Sequence, residues 1–321
     1  MWNGQNTSNK QGAKTTTGRF VEISGDIKDY LDWDVYFFSP KSERYVLYKP
    51  KGVGIDEIRL KKKSMPERLY VSLTNKVEHV SNRQQLINRI LKQTLKRDPA
   101  RSKQLLTGIL EAGTTVPIEK ILNNMKNTVD LVLDDYLADH GIVKRLIEVT
   151  TKDYSTSVHS VNVMLYCLGY GRLCKFTYKN LKLFGLMGLL HDVGKVRVPQ
   201  GILTAPRRLT EDEFEEIKKH TLYGYEMLET CGLDSRVRFG ALQHHERLDG
   251  SGYPNNITAR DILPESMALA IIDIYEALTN LRPYKSPFPL LEGLDIIKKE
   301  VMDGKLDLET FKNFALSLSQ V

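Results

Sequence analysis

The 321-residue sequence predicts a mainly α protein: an all-helical C-terminal bundle behind a small N-terminal α+β domain. Three observations carry that reading. At ~150 residues per domain, the length suggests about two domains. From about Asp139 to the end, apolar residues recur at helical spacing. Between Phe20 and Leu73, short β-branched and aromatic runs alternate with turn residues.

The elements follow in order. Residues 1–18 are Asn, Gly, Thr, Ser and Lys with almost nothing apolar to bury, so a disordered tail is expected. Phe20–Ile23, Asp34–Phe38, Arg44–Tyr48 and Leu69–Leu73 read as strands, with Ser39-Pro40-Lys41-Ser42 as a hairpin turn and Ile55–Lys63 as a short helix. These form an α+β domain over residues 19–75. A helical linker is expected over 76–140. In it, Val80–Lys96 places Leu86, Ile87, Ile90, Leu91 and Leu95 at helical spacing, and Ile118–Leu137 forms a second helix with Pro117 at its first turn. Arg83, Arg89, Lys92, Lys96, Arg97, Arg101 and Lys103 face a single acid, Asp98; they read as a solvated helix face, or more sharply as an anion or partner patch. Residues 141–321 form the helical domain, with helices at Val143–Leu168, Tyr178–Leu190, Glu211–Thr230, Ser235–His244, Glu265–Leu281, Leu290–Met302 and Leu308–Leu318. Thr210-Glu211-Asp212-Glu213 opens one of them as a capping box.

Hydrophobic residues make up 41% and charged residues 27%, which excludes collagen, low-complexity disorder and a membrane bundle. The net charge is only +6, and a nucleic-acid polymer would need it gathered on one face, so no such partner is expected. The longest apolar stretch, Leu183–Leu190, falls far short of the ~20 residues of a membrane span. The N-terminus shows no basic-then-apolar signal. Cys167, Cys174 and Cys231 are too scattered for a disulfide framework or a CxxC metal site and read as buried thiols in a reducing compartment. A cytoplasmic location is expected.

Five of the seven histidines, His159, His191, His220, His244 and His245, fall in the helical half. A lone helix histidine is ordinarily a satisfied core or surface residue, and His79 and His140 are read that way. The others are harder to dismiss. His191-Asp192 closes the apolar run Leu186-Met187-Gly188-Leu189-Leu190 just before Gly194, and His244-His245 stands beside the turn-rich stretch 250–254. Adjacent helix residues point about 100° apart, so His191 and Asp192 suit two neighbouring ions, with the aspartate bridging, better than one. Imidazole and carboxylate without thiolate suit Fe, Mn, Zn or Ni better than Mg or Ca. With Asp192 and Asp273, the five histidines suffice for two ions, which at ~3.5–4 Å separation can hold both the attacked and the leaving oxygen of a phosphoester. Lys195, one turn after His191, and Arg282 and Lys285, after the Asp273 helix, are candidate phosphate ligands; each alone would read as a surface cation.

The strings His191-Asp192-Val193-Gly194-Lys195 and His244-His245-Glu246-Arg247-Leu248-Asp249-Gly250-Ser251-Gly252-Tyr253-Pro254, followed by Asp273-Ile274-Tyr275-Glu276-Ala277-Leu278-Thr279-Asn280-Leu281-Arg282-Pro283-Tyr284, resemble the HD-GYP family over roughly Ile142 to Gln320. That family is a branch of the HD phosphohydrolases whose members degrade the bacterial second messenger cyclic di-GMP. The resemblance implies an HD-type helical bundle and a binuclear metal centre. His159 matches the first histidine of the HD pattern. His191, Asp192 and Asp273 match the ligands of one ion, and Asp192 the bridge to a second ion held by His220, His244 and His245. Lys195, Arg282 and Lys285 match positions that touch substrate phosphate or nucleotide, and Tyr253 the tyrosine near the substrate, with the chemistry centred on Asp192 and Lys195. Two transition-metal ions are implied, iron first and manganese as the alternative. Cyclic di-GMP is the implied substrate, cleaved to pGpG, with GMP as the alternative end product. A protein partner or a second chain could dock through the N-terminal domain or the linker.

Three positions depart from the pattern. Ser155 stands where some members carry a glutamate for a third metal, so two ions are expected. Glu276 replaces the second aspartate of the ADVFDAL-type segment. Ala205 replaces the lysine before the proline of the ILxKP loop, which could loosen the grip on substrate. The Phe20–Leu73 region faintly resembles the small β-rich domain that precedes some HD-GYP domains. Two alternatives stand beside this reading: a weakly active or inactive HD-GYP protein that binds cyclic di-GMP or a partner, and another HD-type phosphohydrolase with a different nucleotide, which the GYP string argues against.

Overall fold

The computed structural model describes residues 20–23, 33–53, 66–113, 115–139, 141–148, 155–205, 207–280 and 287–319. The chain divides into two units at Val80/Ser81. In the first, strands β1 (Phe20–Glu22), β2 (Val35–Ser39), β3 (Arg44–Lys49) and β4 (Tyr70–Ser72) form an antiparallel sheet in the order β1-β4-β2-β3. Each lies within a residue or two of its expected span. The expected hairpin turn joins β2 to β3, with Ser42 N donating to Ser39 O at 3.3 Å. One face buries Trp33, Val35, Tyr48, Leu69 and Val71, the inward set that a period of two prescribes. His79 is an exposed residue whose ring lies on Trp33 with centroids 4.7 Å apart, within the ordinary core-or-surface role expected of it. The expected tail 1–18, the Ile55–Lys63 helix and His140 lie outside the described residues.

The segment expected to be a linker over 76–140 falls, from Ser81 onward, in the second unit. Helix α1 (Leu73–Thr94) begins at Leu73, not Val80, and is followed by α2 (Pro99–Gly113), a helix the sequence reading passed over, and by α3 (Leu122–Ala138). The physical reason is burial. Leu106 and Ile109 on α2 and Val129, Val132 and Leu133 on α3 are almost wholly buried, which requires a bundle to receive them. The helix expected from Ile118 starts with a short 3-10 turn, Ile118–Lys120, and breaks at Ile121 before α3.

The long helix expected at Val143–Leu168 is two elements, α4 (Gly141–Glu148) and α5 (Thr156–Leu173). Ser155 starts the second by accepting from Val158 N at 3.3 Å, so the residue at the third-metal position serves as an N-cap. Helix α5 is buried on nearly all sides, and α6 (Tyr178–Leu190) packs along it. Together they are the centre of the bundle. Around them stand α7 (Gln200–Leu203), α8 (Glu211–Lys218), α9 (His220–Glu229), α10 (Ser235–Gln243), α11 (Pro264–Thr279), α12 (Leu290–Met302) and α13 (Leu308–Leu318). The expected capping box at Thr210–Glu213 is present, but the helix it opens stops at Lys218 and restarts at His220. Tyr166, Tyr275 and Phe314 meet edge to face and tie α5, α11 and α13 together. Among the described residues no helix is long and apolar enough to cross a membrane.

Candidate metal centre

Five helical segments deliver histidines and aspartates to one buried point. His191 closes α6, His244 closes α10, and His220 opens α9 just past the end of α8, with Lys219 between them. The last turn of a helix has carbonyl lone pairs that the ladder does not fully use, and each of these rings takes one. Nδ1 of His191 lies 2.8 Å from Gly188 O, that of His220 2.7 Å from Ile217 O, and that of His244 3.1 Å from Gly240 O. A carbonyl can only accept, so Nδ1 carries the proton and Nε2 is a bare lone pair aimed inward. His159, inside α5, is oriented differently: its Nδ1 meets Glu276 Oε2 on α11 at 2.5 Å.

The Nε2 atoms of the four rings then face one another in two couples. His159 and His191 are 3.2 Å apart, and so are His220 and His244. Asp192 lies between the two pairs. Its Oδ2 is 3.6 Å and 3.5 Å from Nε2 of His159 and His191, and its Oδ1 is 3.3 Å and 3.8 Å from Nε2 of His220 and His244. Oδ1 is buried and accepts no hydrogen bond. Asp273 Oδ1 sits 3.0 Å from His159 Nε2, while His245 completes the other side with its Nδ1 3.9 Å from Asp273 Oδ2. The opposed lone pairs of His220 and His244 and the orphaned buried oxygen of Asp192 repel in this form and are satisfied by cations. The donors fall into the sets His159–His191–Asp273, His191–Asp192–His244 and His220–His244–His245. The residues present therefore fit two nitrogen- and oxygen-preferring ions.

The electrostatics favour ligand forms at most positions. Burial pushes His245 down to about 3 and His244 well below the usual histidine range, so both rings are neutral bases. Burial opposes the charge on Asp192, but Lys195, His191 and His220 outweigh it and hold the carboxyl far below the ordinary carboxylate range. His159 goes the other way: burial disfavours its cation, yet Glu276 and Asp273 lift it to about 10, so a proton competes with a metal there.

Lys195 places its Nζ 2.5 Å from Asp192 Oδ2, so the expected phosphate ligand is also the counter-ion of the central carboxylate. Both residues open onto a cavity of about 250 Å³ walled by Ser160, Val193 and Gln200 and by Leu110, Ile118 and Met125 from the helices that precede α4. Tyr253 lies against His245, tilted by 31° with ring centroids 4.7 Å apart, and Lys218 caps its face at 5.5 Å. Its backbone is placed by Gly252, where a Cβ would fall 2.4 Å from Arg247 N and Glu246 Cα. Arg282 and Lys285 lie outside the described residues.

The sequence profile of the HD domain matches residues 142–309. The chain belongs to the HD-domain family. Its HD domain carries the HD-GYP signature, and proteins similar to it are named for cyclic-dinucleotide hydrolysis. It is 33% identical over 187 residues to a cyclic di-GMP phosphodiesterase of Pseudomonas aeruginosa, covering 58% of this chain and 45% of that one. It is 36% identical over 163 residues to a 3′3′-cGAMP-specific phosphodiesterase of Vibrio cholerae, covering 51% and 38%. The chain thus spans less than half the length of these relatives. Among solved structures, an HDG"Y"P protein from Bdellovibrio bacteriovorus shares the fold with a TM-score of 0.61 at 20% identity, over 94% of this chain and all of that one.

Several residues that shape the HD centre were not singled out as site residues in the sequence. Glu276 was noted only as a replacement. Asn162, which donates to Glu276 Oε1 at 2.7 Å, carried no signal beyond its place one turn after His159. Glu246 anchors the glycine loop by accepting from Asn255 N at 2.7 Å, and Gln243 receives Leu263 N at 3.0 Å to hold the start of α11. Both stand beside the His244-His245 pair, which is the signal that could have found them.

Proposed function

We propose that the chain is a metal-dependent phosphodiesterase that hydrolyses cyclic di-GMP to pGpG, with GMP as the alternative end product. The observation that carries this reading is the pair of facing Nε2 couples with one oxygen of Asp192 turned to each. His191, Asp192, Asp273 and His159 would hold one ion, and His220, His244, His245 and Asp192 the other. When bound, such ions supply Lewis acidity to a phosphoryl group and lower the pKa of a hydrolytic water. The protein's own groups position and neutralise. Lys195, at the mouth of the cavity, offers its ammonium to a phosphate oxygen, exchanging it for Asp192 once that carboxylate is engaged. Arg282 and Lys285 hold the remaining phosphate and guanine edges, and Tyr253 buttresses His245 from the loop side. Iron, with manganese as the alternative, accords with a donor set of imidazole and carboxylate alone. Three unpaired cysteines accord with a cytoplasmic location.

Similarity to proteins named for 3′3′-cGAMP favours a second substrate of the same class. Iron- or manganese-reconstituted protein should be assayed with each dinucleotide separately. Release of pGpG from cyclic di-GMP supports the proposal. Faster cleavage of 3′3′-cGAMP reassigns the substrate, and no cleavage of either by fully loaded protein supports a binding module.

A further inference from the structure

His159 is held unlike the other histidines of the centre. His191, His220 and His244 stand at helix ends and lean on neutral carbonyls of the turn before them. His159 lies within α5, where the preceding carbonyls point along the axis into the ladder and Ser155 O already accepts from His159 N. Its Nδ1 instead reaches across to a carboxylate, Glu276, at 2.5 Å. That carboxylate is wholly buried, and its other oxygen is fixed by Asn162 at 2.7 Å, from the same helix as His159. A carboxylate draws on the imidazole N–H more strongly than a carbonyl does and makes the far nitrogen a better donor to a cation. The two sets also differ in charge: His159 and His191 are grouped with Asp273, whereas His220, His244 and His245 are grouped with one another.

We propose that Glu276, braced by Asn162, is a positioning residue that makes the two halves of the centre unequal, so that the His159–His191–Asp273 half binds its cation more tightly than the His220–His244–His245 half. This rests on the two-ion reading above. The substitution of glutamate for the aspartate of the family pattern then has a consequence: a side chain one methylene longer spans from α11 to Nδ1 of a ring on α5.

The test is calorimetric titration of chelator-treated full-length protein with Mn²⁺. Wild type should bind two ions in two resolved steps. Glu276→Gln keeps the shape but loses the charge, and should weaken the tight step about 10- to 100-fold while the weak step moves less than about twofold. Glu276→Asp should recover part of the loss, because it restores the charge; a purely space-filling role would make Asp no better than Gln. His245→Ala should abolish the weak step and leave the tight one, which adding Glu276→Gln then weakens. If Glu276→Gln does not fold by circular dichroism, Asn162→Ala should weaken the same step several-fold. Equal loss at both steps, no change at the tight step, or Asp behaving as Gln overturns the proposal. Fewer than two ions in wild type overturns the two-ion reading itself. Two ions in wild type with an unaltered Glu276→Gln overturns only the role of Glu276.

Discussion

Replacing Gly194 by alanine should displace His220 and disable half of the metal centre without touching a ligand. A Cβ at Gly194 would lie 1.9 Å from the carbonyl oxygen of His220 and 2.4 Å from the backbone nitrogen of Gly224. Both obstacles are backbone, so no side chain can rotate away. Bringing the closest pair to the 3.4 Å of ordinary contact needs a relative shift of about 1.5 Å between the Val193–Arg197 turn and α9. Metal–ligand distances tolerate about 0.2 Å. The strain should also cost about 1–3 kcal/mol of stability, as overpacking of a close contact does. Gly201→Ala is the control: it lies on α7 with nothing within 4 Å, and should be neutral or stabilise by up to about 1 kcal/mol. The assay is metal content by elemental analysis beside urea unfolding, on both variants and wild type. Gly194→Ala protein that holds two ions and unfolds at the wild-type midpoint would refute the reasoning.

Asp192→Asn should lose most of both ions, since each carboxylate oxygen faces a separate pair of imidazoles; elemental analysis showing one ion retained would restrict Asp192 to one half. Tyr253→Phe keeps the ring on His245 and should retain full metal, with activity reduced about tenfold at most, whereas Tyr253→Ala should loosen His245 and its ion. An Arg282→Ala, Lys285→Ala double variant should bind cyclic di-GMP more weakly at unchanged metal content; unchanged nucleotide affinity would place the nucleotide elsewhere. Lys103 gives a pH prediction: burial lowers its pKa to about 8, with Glu276 opposing, against ~10.4 unfolded. Between these values the unfolded chain binds a proton that the folded chain lacks, so stability should rise with pH from about 8 to about 10, by up to roughly 3 kcal/mol. Lys103→Met should remove that slope, and a wild-type-minus-variant difference that is flat from pH 7.5 to 10 in urea unfolding would count against it.

Much of this protein could be read along the chain, and the readable parts share a cause: they are set by neighbours within one helical turn or one strand pair. The strands of the first unit show their period of two, and Thr210 and Glu213 form their capping box from adjacent residues. The metal ligands were legible because histidines that end helices beside a carboxylate and a glycine are locally unusual, and three of them are oriented by carbonyls only three or four residues away. Other features depend on segments distant in sequence. Nothing near Gly194 indicates that the backbone of His220 will press against it. Helical periodicity runs straight through Glu211–Thr230, and the break at Lys219 places His220 over the turn that follows His191. The seven cations over 83–103 are alike in sequence, yet Lys103 is buried, with its Nζ 3.5 Å from Ile147 O on α4 and under the charge of Glu276 on α11, while Arg83, Arg89, Lys92, Lys96, Arg97 and Arg101 stay exposed. Nothing in the chain around Glu276 signals that a ring 117 residues away needs it as an acceptor. Local propensity and pattern govern what a residue and its turn can do; burial, close backbone approach and the partner of a charge follow from which helices come to lie side by side.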